Sequence, residues 1–281
     1  MRIFDSHNHI WRCEGEHFAW ITDDLKVIKR DFSISDLESV LADNKVEKSV
    51  LVQAVPEIWE TRELLDIAEA SDTVVGVIGW VDVTKGNQVG EDIASLKQSY
   101  SKLCGIRYMS QGLPPEHLME SQFVEGVKQV GNEGLIYELL ITTAQLQQAT
   151  KLVSQCPDMT FIVEHIAKPA IRDGEFEQWS DDLHTLAAYP NVHCKLSGIV
   201  TEADFASWNA SEITPYMDAV LSAFGENRVI YGSDYPVCLL AASYPQVLTL
   251  VTNWLNDNPE VSADKILYSN AEALYLNPLT K

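Results

Sequence analysis

Met1-Arg-Ile-Phe-Asp-Ser-His-Asn-His-Ile10 opens the chain, and Val229-Ile-Tyr-Gly-Ser-Asp-Tyr-Pro236 answers it near the other end. Both read as short strands, apolar where they begin and polar where they end. Side chains alternate between the two faces of an extended strand, so His7 and His9 are expected on one face, with Asp5 beside them. Two imidazoles and a carboxylate on one face are costly to bury unless a metal, a proton relay or a substrate uses them. The intervening chain decides whether partners reach that face.

That chain alternates between apolar, β-rich runs and stretches of helical period. After an irregular aromatic segment, Trp11 to Phe32, Ser35 and Glu38 suggest a capping box, with Leu37, Val40 and Leu41 giving the helix its apolar side. Lys48 to Gln53, Val74 to Val83, Leu103 to Met109, Leu135 to Ile141, Met159 to Glu164, Val192 to Leu196 and Val229 to Tyr231 read as further strands. Helical spacing marks Glu57 to Ala70, the stretch carrying Ile93, Leu96 and Tyr100, and Phe123 to Val130. It continues with the stripe Leu146, Ala149, Leu152 and Val153, then Phe176 to Ala188, Tyr216 to Phe224, Val247 to Leu255 and Ala263 to Leu276. Eight strands, each followed by a helix, predict an α/β protein built as a (β/α)8 barrel. The rival, an open doubly wound sheet, lacks a Gly-rich dinucleotide fingerprint after any strand. No linker, low-complexity segment or charge block divides the chain, and 281 residues suit one barrel, so residues 1–281 are expected to form a single domain.

Lys and Arg number 20 against 41 Asp and Glu, a net charge of −21. That balance argues against nucleic acid and against anionic membrane surfaces, both of which favour basic patches. No apolar run reaches the length of a transmembrane helix, roughly 18 residues or more. The first residues lead straight into a polar strand instead of a signal peptide. The five cysteines, Cys13, Cys104, Cys156, Cys194 and Cys238, are scattered and form no CxxC pair. A reduced, cytoplasmic protein with free thiols is the expectation.

In a barrel of this kind the chemistry sits at the carboxyl ends of the strands. Taken in order, those ends carry His7 and His9; Gln53; Trp80 and Asp82; Arg107 and Tyr108; Tyr137 and Glu138; Glu164, His165 and Lys168; Lys195 and Ser197; Ser233 and Asp234. Almost every strand ends in a side chain able to ligate, protonate or hydrogen-bond. Each has a plainer alternative. His165 can be a satisfied buried histidine, Asp234 a turn residue, and Arg107, Lys168, Lys195 and Glu138 members of structural ion pairs. His17, His117, His184 and His193 fall off the pattern and read as surface residues. The aromatic run Trp11, Phe18 and Trp20 reads as a lid over the barrel or as fixed cover.

Three of these ends also carry a resemblance. Asp5-Ser-His-Asn-His9, Glu164-His-Ile-Ala-Lys-Pro169 and Gly232-Ser-Asp-Tyr-Pro236 resemble the amidohydrolase superfamily in its amidohydrolase-2 branch. Leu51-Val-Gln-Ala54 with Glu60-Thr-Arg62, Gly79-Trp-Val-Asp82, Cys194-Lys-Leu-Ser-Gly198 and Ser233 to Tyr244 narrow it to the sugar-lactone hydrolases of that branch, the L-fuconolactonase and L-rhamnonolactonase group. The likeness runs from residue 1 to about residue 275. It implies that His7, His9, His165 and Asp234 are active-site residues. Metal-binding members take ligands from the HxH pair, a histidine on strand five and an aspartate on strand eight. Strand five here offers Tyr137 and Glu138 instead. The implied metal set is therefore His7, His9 and Asp234, with His165 or Glu138 as a further ligand; zinc is the expected divalent metal and a metal-free mechanism the alternative. The implied reaction is hydrolysis of a small sugar lactone to the aldonic acid. Asp234 would activate water and the histidines, with or without zinc, would polarise the carbonyl. Arg107, Lys195, Lys168, Trp80, Gln53, Tyr137 and Glu138 are the expected substrate contacts, with Trp11, Phe18 and Trp20 as possible walls. Competing readings are a metal-dependent decarboxylase or other lactone hydrolase of the same branch, acting on small aromatic or unsaturated acids, and a non-catalytic carbohydrate-binding barrel.

Overall fold

The structure is a computed structural model and describes residues 1–276, so residues 277–281 of the expected domain lie outside the described residues. Eight strands run in the order of the chain: β1 (Phe4–Asn8), β2 (Lys48–Val52), β3 (Val74–Gly79), β4 (Leu103–Met109), β5 (Ile136–Leu140), β6 (Phe161–Val163), β7 (Val192–Leu196) and β8 (Val229–Tyr231). Each pairs in parallel with the next. Closure falls just beyond the strands, where Asn8 bridges Tyr235, the His9 N–H donates to Tyr235 O at 2.7 Å and the Asp234 N–H to His7 O at 2.9 Å. The two quoted stretches therefore form the seam of a (β/α)8 barrel. Between strands lie α1 (Ile34–Asp43), α2 (Ile58–Glu69), α3 (Val89–Ser99), α4 (Ser121–Asn132), α5 (Leu146–Ser154), α6 (Glu177–Ala187) and α7 (Ala210–Phe224), and α8 (Tyr244–Asp257) and α9 (Asn270–Leu276) follow β8.

The core has two shells. The larger lies between the strands and the helices; the smaller, made by Phe4, Val50, Val52, Ile78, Ile136, Ile162 and Ile230, fills the barrel itself. Tyr268, Ala271 and Tyr275 join the inner shell from the carboxyl-terminal segment, with Phe4 6.1 Å from Tyr268 and 6.0 Å from Tyr275 between ring centroids. The last helix thus closes the barrel floor, opposite the end where the candidate residues gather.

Several expectations are corrected. The first helix is capped two residues earlier than expected: Ser33 Oγ accepts from the Asp36 N–H and Asp36 accepts from the Ser33 N–H, so a short Asp does what Glu38 was expected to do. The third strand stops at Gly79. The Trp11 to Phe32 segment is cover: Trp11 and Phe32 exchange backbone hydrogen bonds, the Trp11 indole donates to Arg30 O at 2.9 Å, and Trp11, Phe18, Ile21, Ile28 and Phe32 are buried. Asp5 does not share the face of the histidines. Pairing with β2 slips by one residue between Asp5 and Asn8, and that bulge turns His7 inward while Asp5 meets Tyr244 of α8 at 2.6 Å. His17 and His184 are exposed, but His117 and His193 are only partly so. His117 stacks on Tyr108 and packs edge-on to Phe123. His193 pairs in register with Ile162 on the inner face, and burial together with Arg228 lowers its pKa to about 4.

Burial also holds His7 and His165 well below the usual imidazole range, more than offsetting the nearby carboxylates. All three rings are neutral in the fold and take up protons when the chain unfolds. Their contribution is present above the ordinary imidazole value of 6.5 and is lost as pH falls toward the lowered values. Urea melts should accordingly show stability dropping from pH 7 to pH 4.5, and His193→Gln should flatten part of that slope. An unchanged slope in the variant would remove His193 from the account.

Candidate active site

Four stretches converge at the carboxyl end of the barrel. His7 and His9 come from the bulged end of β1, Glu164 and His165 from the end of β6, Ser197 and Gly198 from β7, and Asp234 from the turn after β8. His7 Nε2 and His9 Nε2 are 3.0 Å apart, and Asp234 Oδ1 lies 3.6 Å from the first and 3.5 Å from the second. The rings of His7 and His165 are edge to face at 4.6 Å, and His165 Nδ1 meets Ser197 Oγ at 2.9 Å. All are buried.

The backbone is bent hard to achieve this. His165, Ile166, Ala167 and Lys168 all have positive φ, between 48° and 61°, and Asp234 has φ 59°. For residues with side chains the left-handed region costs roughly 1–2 kcal/mol each. The β6 turn is held by full burial of Ile166 and Ala167 and by the Trp179 indole, which donates to Ile166 O at 2.7 Å. Such strain concentrates at functional sites. Gly198 faces this turn with φ +61°; a Cβ there would lie 2.5 Å from His165 Nδ1 and 3.2 Å from Asp234 Oδ2. Gly198→Ala is therefore expected to displace His165 and lower kcat about 10- to 100-fold, because small displacements of reacting groups cost that much. Kinetics beside a urea melt check it, and wild-type kcat would mean that the approach is not needed.

Electrostatically, burial opposes ionisation of Asp234, but His165, His9 and Lys168 beside it hold its carboxyl below its ordinary range. Below the histidines lies a buried ionic network. Glu164 Oε2 accepts from Arg107 at 2.8 Å, and Glu164 Oε1 is 3.1 Å from His7 Nδ1. Lys195 Nζ donates to Glu138 Oε2 at 2.7 Å and lies 3.3 Å from His7 Nδ1. Glu138 Oε1 accepts from the Tyr275 hydroxyl at 2.7 Å. Burial alone would protonate Glu164, yet Arg107, His7 and Lys195 hold it well below the usual carboxylate range.

The sequence-derived residues divide accordingly. His7, His9, His165 and Asp234 meet. Glu138 and Lys195 point into the barrel beneath them but bond each other, which leaves neither free to hold a metal or a substrate hydroxyl. Arg107 also belongs to the layer below, where its guanidinium donates to Glu164 and to Gln53 O. Tyr137 is excluded from the site: strand alternation sends it outward between Phe123 and Phe161. Lys168 is part-exposed and pairs with Glu202 at 3.0 Å. Gln53 and Trp80 stand at the ends of β2 and β3, and Gln53 Oε1 and Trp80 Nε1 are buried without a partner among the described residues. Glu164, Ser197 and Tyr275 were not among the residues assigned a role from sequence. Glu164 was signalled by its place beside His165; Tyr275 carried no signal beyond sharing a helical stripe with Tyr268.

Two donor groups can hold a divalent ion: His7, His9 and Asp234, and His7, Glu164 and His165. The first fits zinc better. Its three atoms are 3.0–3.6 Å apart, and tetrahedral ligands at zinc bond lengths of about 2.0–2.1 Å are roughly 3.3 Å apart. His9 also donates from Nδ1 to Val52 O at 2.7 Å, so Nε2 is the ring nitrogen it has left to offer an ion at that point.

Comparison with known proteins gives the family of the chain. The family model described as amidohydrolase matches residues 4–276. The chain belongs to the amidohydrolase family. Among relatives, this amidohydrolase is 37% identical to an L-fucono-1,5-lactonase of Burkholderia ambifaria, over 85% of this chain and 82% of that one. It is 32% identical to an L-fucono-1,5-lactonase of Burkholderia multivorans, over 96% and 94% of the two chains. A crystal structure of an amidohydrolase from Burkholderia multivorans with bound zinc superposes with a TM-score of 0.92 at 31% identity, covering 98% of this chain and 99% of that one.

Proposed function

We propose that this amidohydrolase opens a sugar lactone to the aldonic acid, with Asp234 as general base. The observation that carries the reading is a buried Asp234, its carboxyl held below its ordinary range, 3.5–3.6 Å from the ring nitrogens of His7 and His9, in a chain 37% identical to an L-fucono-1,5-lactonase. Asp234 takes a proton from water as its oxygen attacks the lactone carbonyl carbon. The bond from that carbon to the ring oxygen then breaks, and Asp234 returns the proton to the departing alkoxide. The carbonyl oxygen gathers negative charge and is met by imidazole N–H groups of His7 or His165. A zinc ion held by His7, His9 and Asp234 would add Lewis-acid polarisation of that carbonyl. Gln53 Oε1 and Trp80 Nε1 supply an acceptor and a donor for sugar hydroxyls; leaving such buried atoms unpaired costs about 1–3 kcal/mol each. Trp11, whose ring is 6.3 Å from that of His9, walls the apolar side of the sugar.

A pH-indicator screen of fucono-, rhamnono- and galactono-lactones, in 1,4- and 1,5-ring forms, tests the proposal. Enzyme-dependent acid release is expected from at least one, and silence across the panel would refute it. Elemental analysis beside chelation tests the metal set: activity lost on chelation and restored by zinc supports it, and full activity in metal-free protein leaves the reaction to the side chains.

A further inference from the structure

We propose that Glu60 and Thr61, neighbours in the first turn of α2, are positioning residues for substrate recognition: they clamp the ends of β2 and β3 so that Gln53 Oε1 and Trp80 Nε1 stay presented to the sugar hydroxyls. The inference rests on the reading that the substrate is a sugar lactone. Both side chains are buried, and neither makes the bond that its place in a helix would give it. Glu60 is the third residue of α2, from which a glutamate ordinarily reaches back to the N–H of the residue before the helix. Here that residue, Glu57, donates its N–H to Val55 O. The Glu60 carboxylate extends further back and accepts from the Ala54 N–H and the Val55 N–H, each at 3.0 Å. A threonine inside a helix ordinarily bonds a carbonyl of its own preceding turn. Thr61 Oγ1 leaves its helix instead, accepting from the Trp80 N–H at 2.7 Å and donating to Trp80 O at 3.0 Å. Gly79 makes room for this approach, since a Cβ there would lie 2.5 Å from Thr61 Cγ2.

The clamps act on two residues that each keep one polar atom unused. The Gln53 N–H donates to Ile78 O at 2.9 Å, its carbonyl accepts from Arg107, and its Nε2 donates to Arg107 O at 3.4 Å. The two residues after it are tied to Glu60, and only Oε1 is left over. Trp80 has its N–H and carbonyl on Thr61 and its ring stacked on Tyr108, 6.4 Å between centroids, and only Nε1 is left over. Among the described residues those two atoms are buried without partners.

Both residues lie where the chain leaves the sheet and loses the ladder bonds that would fix it. Hydrogen bonds weaken steeply with misalignment, so a small drift of either loop would forfeit its bond to a hydroxyl. Holding the loop beforehand spares the substrate the cost of ordering it. Glu60 and Thr61 bond only backbone at the ends of β2 and β3, while the reacting groups come from β1, β6 and the turn after β8. The clamps therefore act on binding and leave the bond-breaking step alone.

The experiment uses the full chain and the lactone of the panel that the wild type opens fastest. Glu60→Gln and Thr61→Val keep the side-chain shape and disable one clamp each. Each is expected to raise KM about 5- to 10-fold, the worth of one hydrogen bond, with kcat within about twofold of wild type. Thr61→Ser keeps the hydroxyl and is expected to keep the wild-type KM. Double-variant cycles identify what each clamp serves. With Gln53→Leu already present, Glu60→Gln should add less than about twofold, and with Trp80→Phe present Thr61→Val should do the same. The crossed combinations should multiply. An unchanged KM in a single variant, a fall in kcat at constant KM, or matched pairs that multiply like the crossed ones would overturn the proposal for that residue. Amide hydrogen exchange needs no substrate and separates this inference from the lactone reading. Ala54 and Val55 should exchange at least about 10-fold faster in Glu60→Gln, and Trp80 in Thr61→Val, each without the other. Those changes in a protein silent across the panel would end the lactone reading and uphold the clamps; exchange unaltered in both variants would overturn the clamps whichever ester is cleaved. Should Glu60→Gln not fold, the cycle of Thr61→Val with Trp80→Phe decides alone.

Discussion

Asp234→Asn is expected to lower kcat/KM at least about 100-fold, the usual contribution of a positioned general base. The substitution keeps the shape of the side chain, and the Asp234 N–H still donates to His7 O, so the barrel seam should stay closed. Only the capacity to take a proton is removed. A variant retaining more than about a tenth of wild-type turnover would end the assignment of Asp234 as base. The pH dependence has a definite sign. A base works when ionised, and its neighbours hold Asp234 below its ordinary value of 3.8, so its own acid limb lies below that. The neutral histidines begin to cost stability from about 6.5 downward. Loss of activity in acid should therefore track unfolding before it tracks protonation of the base, and circular dichroism recorded beside the rates would separate the two.

Arg107→Met is expected to destabilise the protein by about 3–5 kcal/mol, because it leaves the Glu164 carboxylate buried without its principal partner. Lys168→Met should cost no more than about 1 kcal/mol, since the Lys168–Glu202 pair is partly exposed and screened by water. Sequence alone treats the two cations alike; burial separates them. Arg107→Met/Glu164→Gln should recover most of the loss, because a neutral pair carries no uncompensated charge. Urea denaturation of the four proteins measures this, and equal losses for Arg107→Met and Lys168→Met would contradict the placement of Arg107 in a buried network.

The two quoted stretches, the alternation of strand and helix, and the meeting of His7, His9, His165 and Asp234 were all legible in the sequence. Their signals are local: apolar runs of strand length, helical spacing between them, and polar residues where strands end. In a barrel every strand end faces one opening, so reading each end separately was enough to gather those four residues. What failed were statements about direction and partnership. Tyr137 and Glu138 are adjacent, and only the register of β5 sends the first outward and the second inward. Asp5 was placed with the histidines by strict alternation, and a one-residue slip against β2 separates them. The left-handed run from His165 to Lys168 contains no glycine to announce it; buried packing and the Trp179 indole impose it. Lys195 and Glu138 were left open between substrate contact and structural ion pair, and it took their meeting across 57 positions, with a tyrosine of the last helix on Glu138, to choose the pair. The sequence by itself thus determined the barrel and the membership of the polar cluster at its carboxyl end, because periodicity and strand-end chemistry are written along the chain. The tertiary structure alone decided which side chains face inward and which charges are buried together, because those depend on register and on neighbours remote in sequence.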